Sequence, residues 1–348
     1  MKRSSGYDSY HGKSRMRTIL KAIIVALVVI LAILIAAFFL LQDYVYYTPE
    51  GRVQIVLPFL DRDKDEDAPV PTVVVTSAPS AAPTPTPAPA AAGTPLRAVA
   101  VPLSALSDGS AAQAVTAAGG NAALFDMKGD DGMLGYVSAL PQAVNWATSG
   151  ADTTVGAGLA SLKAAGVRTV ARVSCFRDNR VPRQDNGLSL RVSAGNWTDS
   201  DGVRWISPAL AVNQDYVAGI CGELAALGFD EILLDNAAFP VDAKTGSIVA
   251  GERYDAGQFT GALTTFYGKV KTALGAYPEV KLLIAGSSAA VAAGADAASG
   301  QTAELLLQSA DQVVTGETAA AAVYPADRLV TRLAAAPGAE TAGSWIAG

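Results

Sequence analysis

From Leu96 onward the chain alternates between short apolar runs and longer stretches whose apolar residues recur at helical spacing. The runs are Ala98–Val101, Ala122–Asp126, Thr169–Phe176, Glu231–Asp235, Lys281–Ala285, Gln312–Thr315, Leu329–Leu333 and Ser344–Ala347. Between them lie helical stretches at Gly158–Ala165, Val212–Leu227, Phe259–Leu274 and Ala303–Ser309. Near-continuous apolar runs belong to strands buried on both faces. Strand and helix in alternation predict a parallel sheet clad in helices, and eight runs over about 250 residues predict a (β/α)8 TIM-like barrel. Because the last two runs are less apolar, a doubly wound open sheet is the alternative. The phosphate loop of such a sheet is missing: the nearest match, Gly156-Ala157-Gly158, has Ser161 in place of the third glycine and follows no apolar strand. A GxSxG elbow, a Walker A motif and a CxxC pair are also missing.

The pattern before Leu96 is different. Residues 22–41 are apolar without a charge or a proline, and at 1.5 Å per residue they span about 30 Å, the thickness of a bilayer's hydrocarbon core. They predict a transmembrane helix. The alternative, a cleaved signal peptide, has a shorter apolar run and a small-residue cleavage site after it, neither of which is present. Residues 1–21 form a basic tail carrying Lys2, Arg3, Lys13, Arg15, Arg17 and Lys21 against Asp8. Residues 42–67 are acidic, with Tyr44, Tyr46 and Tyr47 where an interfacial aromatic belt would lie. The positive-inside rule then keeps the N-terminus cytoplasmic and the body, residues 97–348, extracytoplasmic. Residues 68–96, rich in Pro, Ala and Thr, predict an extended linker that cannot bury a core.

Charge and composition narrow the chemistry. The net charge of -6 combines the basic tail with an acidic body, which argues against a nucleic-acid partner. The single histidine, His11, lies in the tail, so the body can hold no Ser-His-Asp triad, HExxH zinc site or three-histidine metal site. Cys175 and Cys221 are too few for a disulfide scaffold, and two buried, unpaired thiols are the expectation, with a disulfide as the alternative. Neither has a histidine partner for thiol catalysis. No cofactor and no metal is expected.

Carboxylates remain as acid–base groups, and in a barrel the chemistry sits at the C-terminal ends of the strands. Ala123-Leu124-Phe125-Asp126 and Ile232-Leu233-Leu234-Asp235 both end in an aspartate. Alternation puts Asp126 on the face of Leu124 and Asp235 on the face of Leu233, the face that can line a barrel mouth. Arg172 and Ser174 share one phase of the third run. Paired carboxylates are what glycoside hydrolysis requires, one protonated and one ionised, so Asp126 and Asp235 are the candidate catalytic pair. Lys128, Arg172, Arg177, Asp178 and Asn236 are candidate substrate-binding residues. Asp178 and Glu317 are reserve acids. The long loop from about Arg177 to Ala211 carries Trp197 and Trp205, which would stack on sugar rings or, alternatively, pin the loop to the barrel rim. Trp146 is expected at the rim, and Trp345 in the core or at the floor of the mouth. Asn196-Trp197-Thr198 is a glycosylation sequon.

These residues resemble a bacterial family of TIM-barrel domains catalogued as glycosyl hydrolases of unknown function. The resemblance covers about residues 97–348. It rests on Phe125-Asp126-Met127-Lys128-Gly129-Asp130-Asp131-Gly132, on Ala171-Arg172-Val173 with Phe176-Arg177-Asp178, and on Trp205-Ile206-Ser207-Pro208. Its most specific piece is Leu227-Gly228-Phe229-Asp230-Glu231-Ile232 through Asp235 and Phe239-Pro240. It implies a membrane-anchored glycoside hydrolase acting on extracellular or cell-wall polysaccharide. Three positions depart from the family pattern: Asn236 stands for an aromatic residue, Ala238 for an arginine and Ser207 for an acid or amide. Those losses motivate a second reading, an inactive barrel that binds cell-surface glycan as a scaffold. A third is a deacetylase-like metal enzyme built on Asp130 and Asp131, which would have only oxygen ligands to offer.

Overall fold

The structure, a computed structural model, describes residues 45–47, 53–55, 94–316, 324–337 and 343–348. The basic tail, the apolar span 22–41, most of the linker and Glu317 lie outside the described residues. Among the described residues no helix is long and apolar enough to cross a membrane. The chain divides into two units, residues 1–81 and 82–348. In the first, Val45–Tyr47 pairs antiparallel with Val53–Ile55.

The second unit is a closed barrel of eight parallel strands in sequential order. They are β1 (Arg97–Ala100), β2 (Ala122–Lys128), β3 (Arg168–Ser174), β4 (Glu231–Asp235), β5 (Lys281–Ala285), β6 (Gln312–Gly316), β7 (Leu329–Leu333) and β8 (Ser344–Ala347). The barrel shuts where β8 pairs with β1. Closure excludes the open doubly wound sheet, and every strand falls on an expected run, the two weakest included.

Side-chain alternation builds two apolar layers. One set, which includes Ala98, Leu124, Val170, Leu233, Leu283, Val314, Val330 and Ile346, fills the barrel interior. The intervening residues, among them Phe125, Val173, Leu234 and Ile284, pack outward on the helices. The longest helices following β1 to β5 are α1 (Ala111–Ala117), α2 (Val155–Ala164), α3 (Ala211–Leu227), α4 (Phe259–Ala273) and α5 (Ala303–Ser309). Among the described residues no α-helix follows β6 or β7, so helical cladding is shown for the first five strands only. The β7–β8 connection, residues 334–343, is shorter than the dozen or so residues a helical crossover usually takes.

The feet of the strands are clamped by a repeated device. Asn121, Asp230 and Asp311 each stand immediately before an even-numbered strand. Their side chains accept the amides of Arg97 at 2.9 Å, Thr169 at 2.9 Å and Leu282 at 2.8 Å, from the preceding odd strand. Ser344, the first residue of β8, accepts at 3.0 Å the amide of Leu96, which precedes β1, the strand on its other side. Each clamp satisfies a backbone donor where the ladder begins. The Leu227-Gly228-Phe229-Asp230 stretch reads accordingly. Gly228, at φ +104°, ends α3 in a left-handed turn, Phe229 is buried, and Asp230 ties β4 to β3.

Asp230→Ala removes the acceptor of both the Thr169 amide and the Thr169 hydroxyl. The expected cost is about 1–2 kcal/mol, read as a lower denaturation midpoint with an unchanged denaturant slope. An unmoved midpoint would show that the clamp is dispensable.

Candidate active site

Asp126, Arg172, Ser174 and Asp235 all share the phase of the interior layer, as the alternation predicts, and gather at the C-terminal mouth. Their centre is one guanidinium. Arg172 donates from Nε to Asp235 Oδ2 at 2.8 Å, from Nη1 to Asp126 Oδ1 at 2.9 Å and from Nη2 to Asp130 Oδ1 at 3.0 Å. A planar group touching both Asp126 and Asp235 limits the separation of those two oxygens to about 8 Å. Arg177 continues the network, with Nη1 on Asp130, Nε on Asp199 Oδ2 at 2.7 Å and Nη2 on Asp201 Oδ2 at 2.7 Å. On the far side of Asp235, Arg332 of β7 brings Nη2 to 3.3 Å from Oδ2.

The two candidate acids are pushed in opposite directions. Desolvation in the mouth raises the Asp126 carboxyl above its ordinary value; Arg172 opposes this, and the nearby Asp130 and Asp131 charges add to it. The tip of Asp126 is nonetheless half exposed and open to solvent. For Asp235, burial alone would raise the value, but the charges of Arg332 and Arg172 and their hydrogen bonds hold it below the usual aspartate range. Asp130 is also held low: burial is outweighed by its bonds to Ser174 and Arg172 and by the charges of Arg172 and Arg177.

Asn236 follows Asp235 in the left-handed region at φ +47°, a conformation that costs a non-glycine residue about 1 kcal/mol. Its own amide donates to Asp235 Oδ1 at 3.1 Å. Its side-chain Nδ2 donates to Ser174 Oγ at 2.9 Å and Asp130 Oδ1 at 3.3 Å. It therefore serves the carboxylate cluster, where a substrate contact was expected.

Other expected substrate residues are placed elsewhere. Lys128 and Asp178 are fully buried and pair with each other at 2.9 Å. Lys128 Nζ also donates to the Ser174 carbonyl at 2.7 Å, and Asp178 Oδ1 accepts the Arg180 and Val181 amides at 2.8 Å each. A β-bulge between Asp126 and Lys128 re-aims the end of β2, so the lysine ties β2 to the β3 loop instead of meeting solvent. With no exposed surface, neither Lys128 nor the reserve acid Asp178 can touch a sugar in this arrangement.

Trp197 and Trp205 are corrected in the same way. They are 1% and 7% exposed and meet edge to face at 6.5 Å. Their indole N–H groups donate to the Lys244 carbonyl at 3.1 Å and to Asp199 Oδ2 at 3.0 Å. Both pin the long loop down, so neither offers a face to a sugar ring. Trp146 packs edge to face on Tyr216, and Trp345 is buried in β8. The sequon's Asn196 spends its amide on the Pro182 carbonyl. Cys175 and Cys221 are free and buried, and burial pushes both thiols up, Cys221 to about 12.

Arg332, Asp199 and Asp201 escaped the sequence reading. Arg332 was legible: the alternation applied to β2 and β4 gives Val330 and Arg332 one phase in β7. Asp199 and Asp201 gave no signal, because a loop has no periodicity. Among the described residues no group of three or more His, Cys, Asp and Glu is arranged to hold a metal ion. Both oxygens of Asp130 face guanidinium groups instead. A cavity of about 500 Å³ lies at the opposite end of the barrel, lined in part by Leu282, Leu307, Asp311 and Arg328.

No curated protein matches the chain. Solved structures resemble the chain at low identity. A hypothetical protein from Ruminiclostridium thermocellum is 23% identical over 53% of this chain and 96% of its own, with a TM-score of 0.46. The PgaB (BpsB) glycoside hydrolase domain from Bordetella bronchiseptica is 17% identical over 69% and 84%, with a TM-score of 0.49. The glycoside hydrolase domain of PelA from Pseudomonas aeruginosa is 14% identical over 64% and 67%, with a TM-score of 0.37. The model of the family described as "Putative glycosyl hydrolase domain" matches residues 109–326, from the approach to α1 to the turn before β7, and the chain belongs to that family.

Proposed function

We propose that the barrel mouth hydrolyses glycosidic bonds, with Asp126 as the general acid and Asp235 as the ionised nucleophile or base. One observation carries this reading: two inward aspartates, bound to one guanidinium, have their proton affinities driven apart. Hydrolysis asks for that division of labour. Asp126 Oδ1 is held by Arg172, leaving Oδ2 to carry the proton toward the leaving oxygen. Asp235 presents negative charge to the positive charge that develops on the sugar. Membership of a glycosyl hydrolase family supports the same reading.

The proposed substrate is an extracellular or cell-wall polysaccharide. Residues 22–41 would anchor the chain in the cell membrane and the Pro/Ala/Thr-rich linker would hold the barrel outside, as their composition suggests. Asp126 and the arginines at the mouth would meet the glycan, the arginines after exchanging a carboxylate for a sugar hydroxyl.

A second reading, glycan binding without cleavage, is favoured by the engagement of Asp235. Its Oδ2 faces both Arg172 and Arg332, and its Oδ1 accepts the Asn236 amide. A nucleophile with every oxygen occupied is a poor one until a guanidinium withdraws.

The full chain, recovered in the membrane fraction, should release soluble oligosaccharide from some member of a glycan panel. Asp235→Asn should lower that release at least a thousandfold while the fold survives. Retention of glycan with no product from the unaltered chain would establish the binding reading; turnover unchanged in Asp235→Asn would refute the role given to Asp235.

A further inference from the structure

Asp235 is gripped from two sides, and the second grip comes from a strand outside the family match. That match ends at residue 326, while Arg332 stands on β7. Val330 of the same strand fills the barrel interior, and Arg332, two residues on, shares its face one step closer to the mouth. From there its Nη2 comes within 3.3 Å of Asp235 Oδ2, although β7 lies three strands from β4 around the barrel. Its β6 register partner is Gly316, where a Cβ would meet no atom of the described residues within 4 Å.

The two arginines differ in what else they hold. Arg172 divides its charge among Asp126, Asp130 and Asp235. Among the described residues Arg332 has Asp235 as its one carboxylate. The remaining charged and titratable groups around Asp235 do not replace it. Asp126 and Asp130 stand on the far side of Arg172, the Cys175 thiol is buried behind β3, and Lys128 is turned away onto Asp178.

We propose that Arg332 is a positioning residue for Asp235: it fixes the carboxylate from the side opposite Arg172 and keeps it an anion aimed at the mouth. The charge of Arg332 is the largest influence opposing the effect of burial on Asp235, ahead of Arg172. The consequence for catalysis rests on the hydrolase reading above, but the contact itself can be measured without any glycan.

The experiment is a carboxyl ¹³C NMR titration of the full chain labelled at aspartate, with no glycan present and Asp235→Asn used to assign the Asp235 signal. In Arg332→Gln the Asp235 midpoint should rise by about one pH unit, a tenfold gain in proton affinity, with a smaller shift at Asp126. Arg332→Lys, which keeps the charge but loses the planar fork, should fall between Arg332→Gln and the unaltered chain. An Asp235 midpoint that does not move in folded Arg332→Gln overturns the proposal. Should that variant fail to fold, Arg332→Lys decides: a rise of about half a unit supports the proposal and no rise overturns it. A moved midpoint in a protein that cleaves nothing would sink the hydrolase reading and leave the role of Arg332 intact. Cleavage with an unmoved midpoint would do the reverse.

Discussion

The guanidinium of Arg172 stands where three carboxylates meet, and the rest of the mouth is arranged around that fact. Asp126, Asp130 and Asp235 come from one strand, one loop and another strand, and each is within 3.0 Å of a different nitrogen of the same group. One positive charge cannot balance three negative ones, and like charges this close repel strongly at the low effective dielectric of a part-buried site. The structure answers by sharing: Arg177 takes part of Asp130, and Arg332 takes part of Asp235. Among the described residues Asp126 gains no second cation to offset its burial, and it is the acid whose proton affinity rises.

The barrel makes this cluster possible because its strands need nothing from it. The apolar interior is complete below the mouth, and the strand feet are closed by Asn121, Asp230, Asp311 and Ser344. The feet also hold a largely buried ion pair, Arg168 with Glu231, while the other end carries the left-handed backbone of Asn236 and a second, fully buried pair, Lys128 with Asp178. Removing one member of such a pair costs about 3–5 kcal/mol, because the other charge is left buried and alone. That pair is what fastens the loop of Trp197 and Trp205 to β2.

Much of this was readable before any coordinate. The apolar runs located all eight strands, and alternation, a local rule, gave the inward faces of Asp126, Arg172 and Asp235. Lys128 defeats the rule because a bulge after Asp126 breaks the period on which it rests. The two loop tryptophans defeated chemical intuition for another reason. A large aromatic on a loop suits a sugar, but it also suits a core, and only the partners Asp199 and Lys244 decide between them. The family resemblance pointed to the erosion beside Asp235, and the structure shows what occupies that ground. Asn236 binds Asp130 and Ser174, and Arg332 arrives from a strand beyond the family's matched segment.

The account turns on two aspartates held in different protonation states. It is tested most directly by the pH dependence of kcat/KM on any glycan the chain cleaves. Asp235 must be ionised, so the rate should climb with pH through a midpoint below the ordinary aspartate value of about 3.9. Asp126 must be protonated, so the rate should fall again through a midpoint above that value. The predicted profile is a bell whose two limbs lie on either side of that value. A rate that rises and then stays flat into alkaline solution would mean that no protonated carboxyl takes part, and would contradict the division of roles between Asp126 and Asp235.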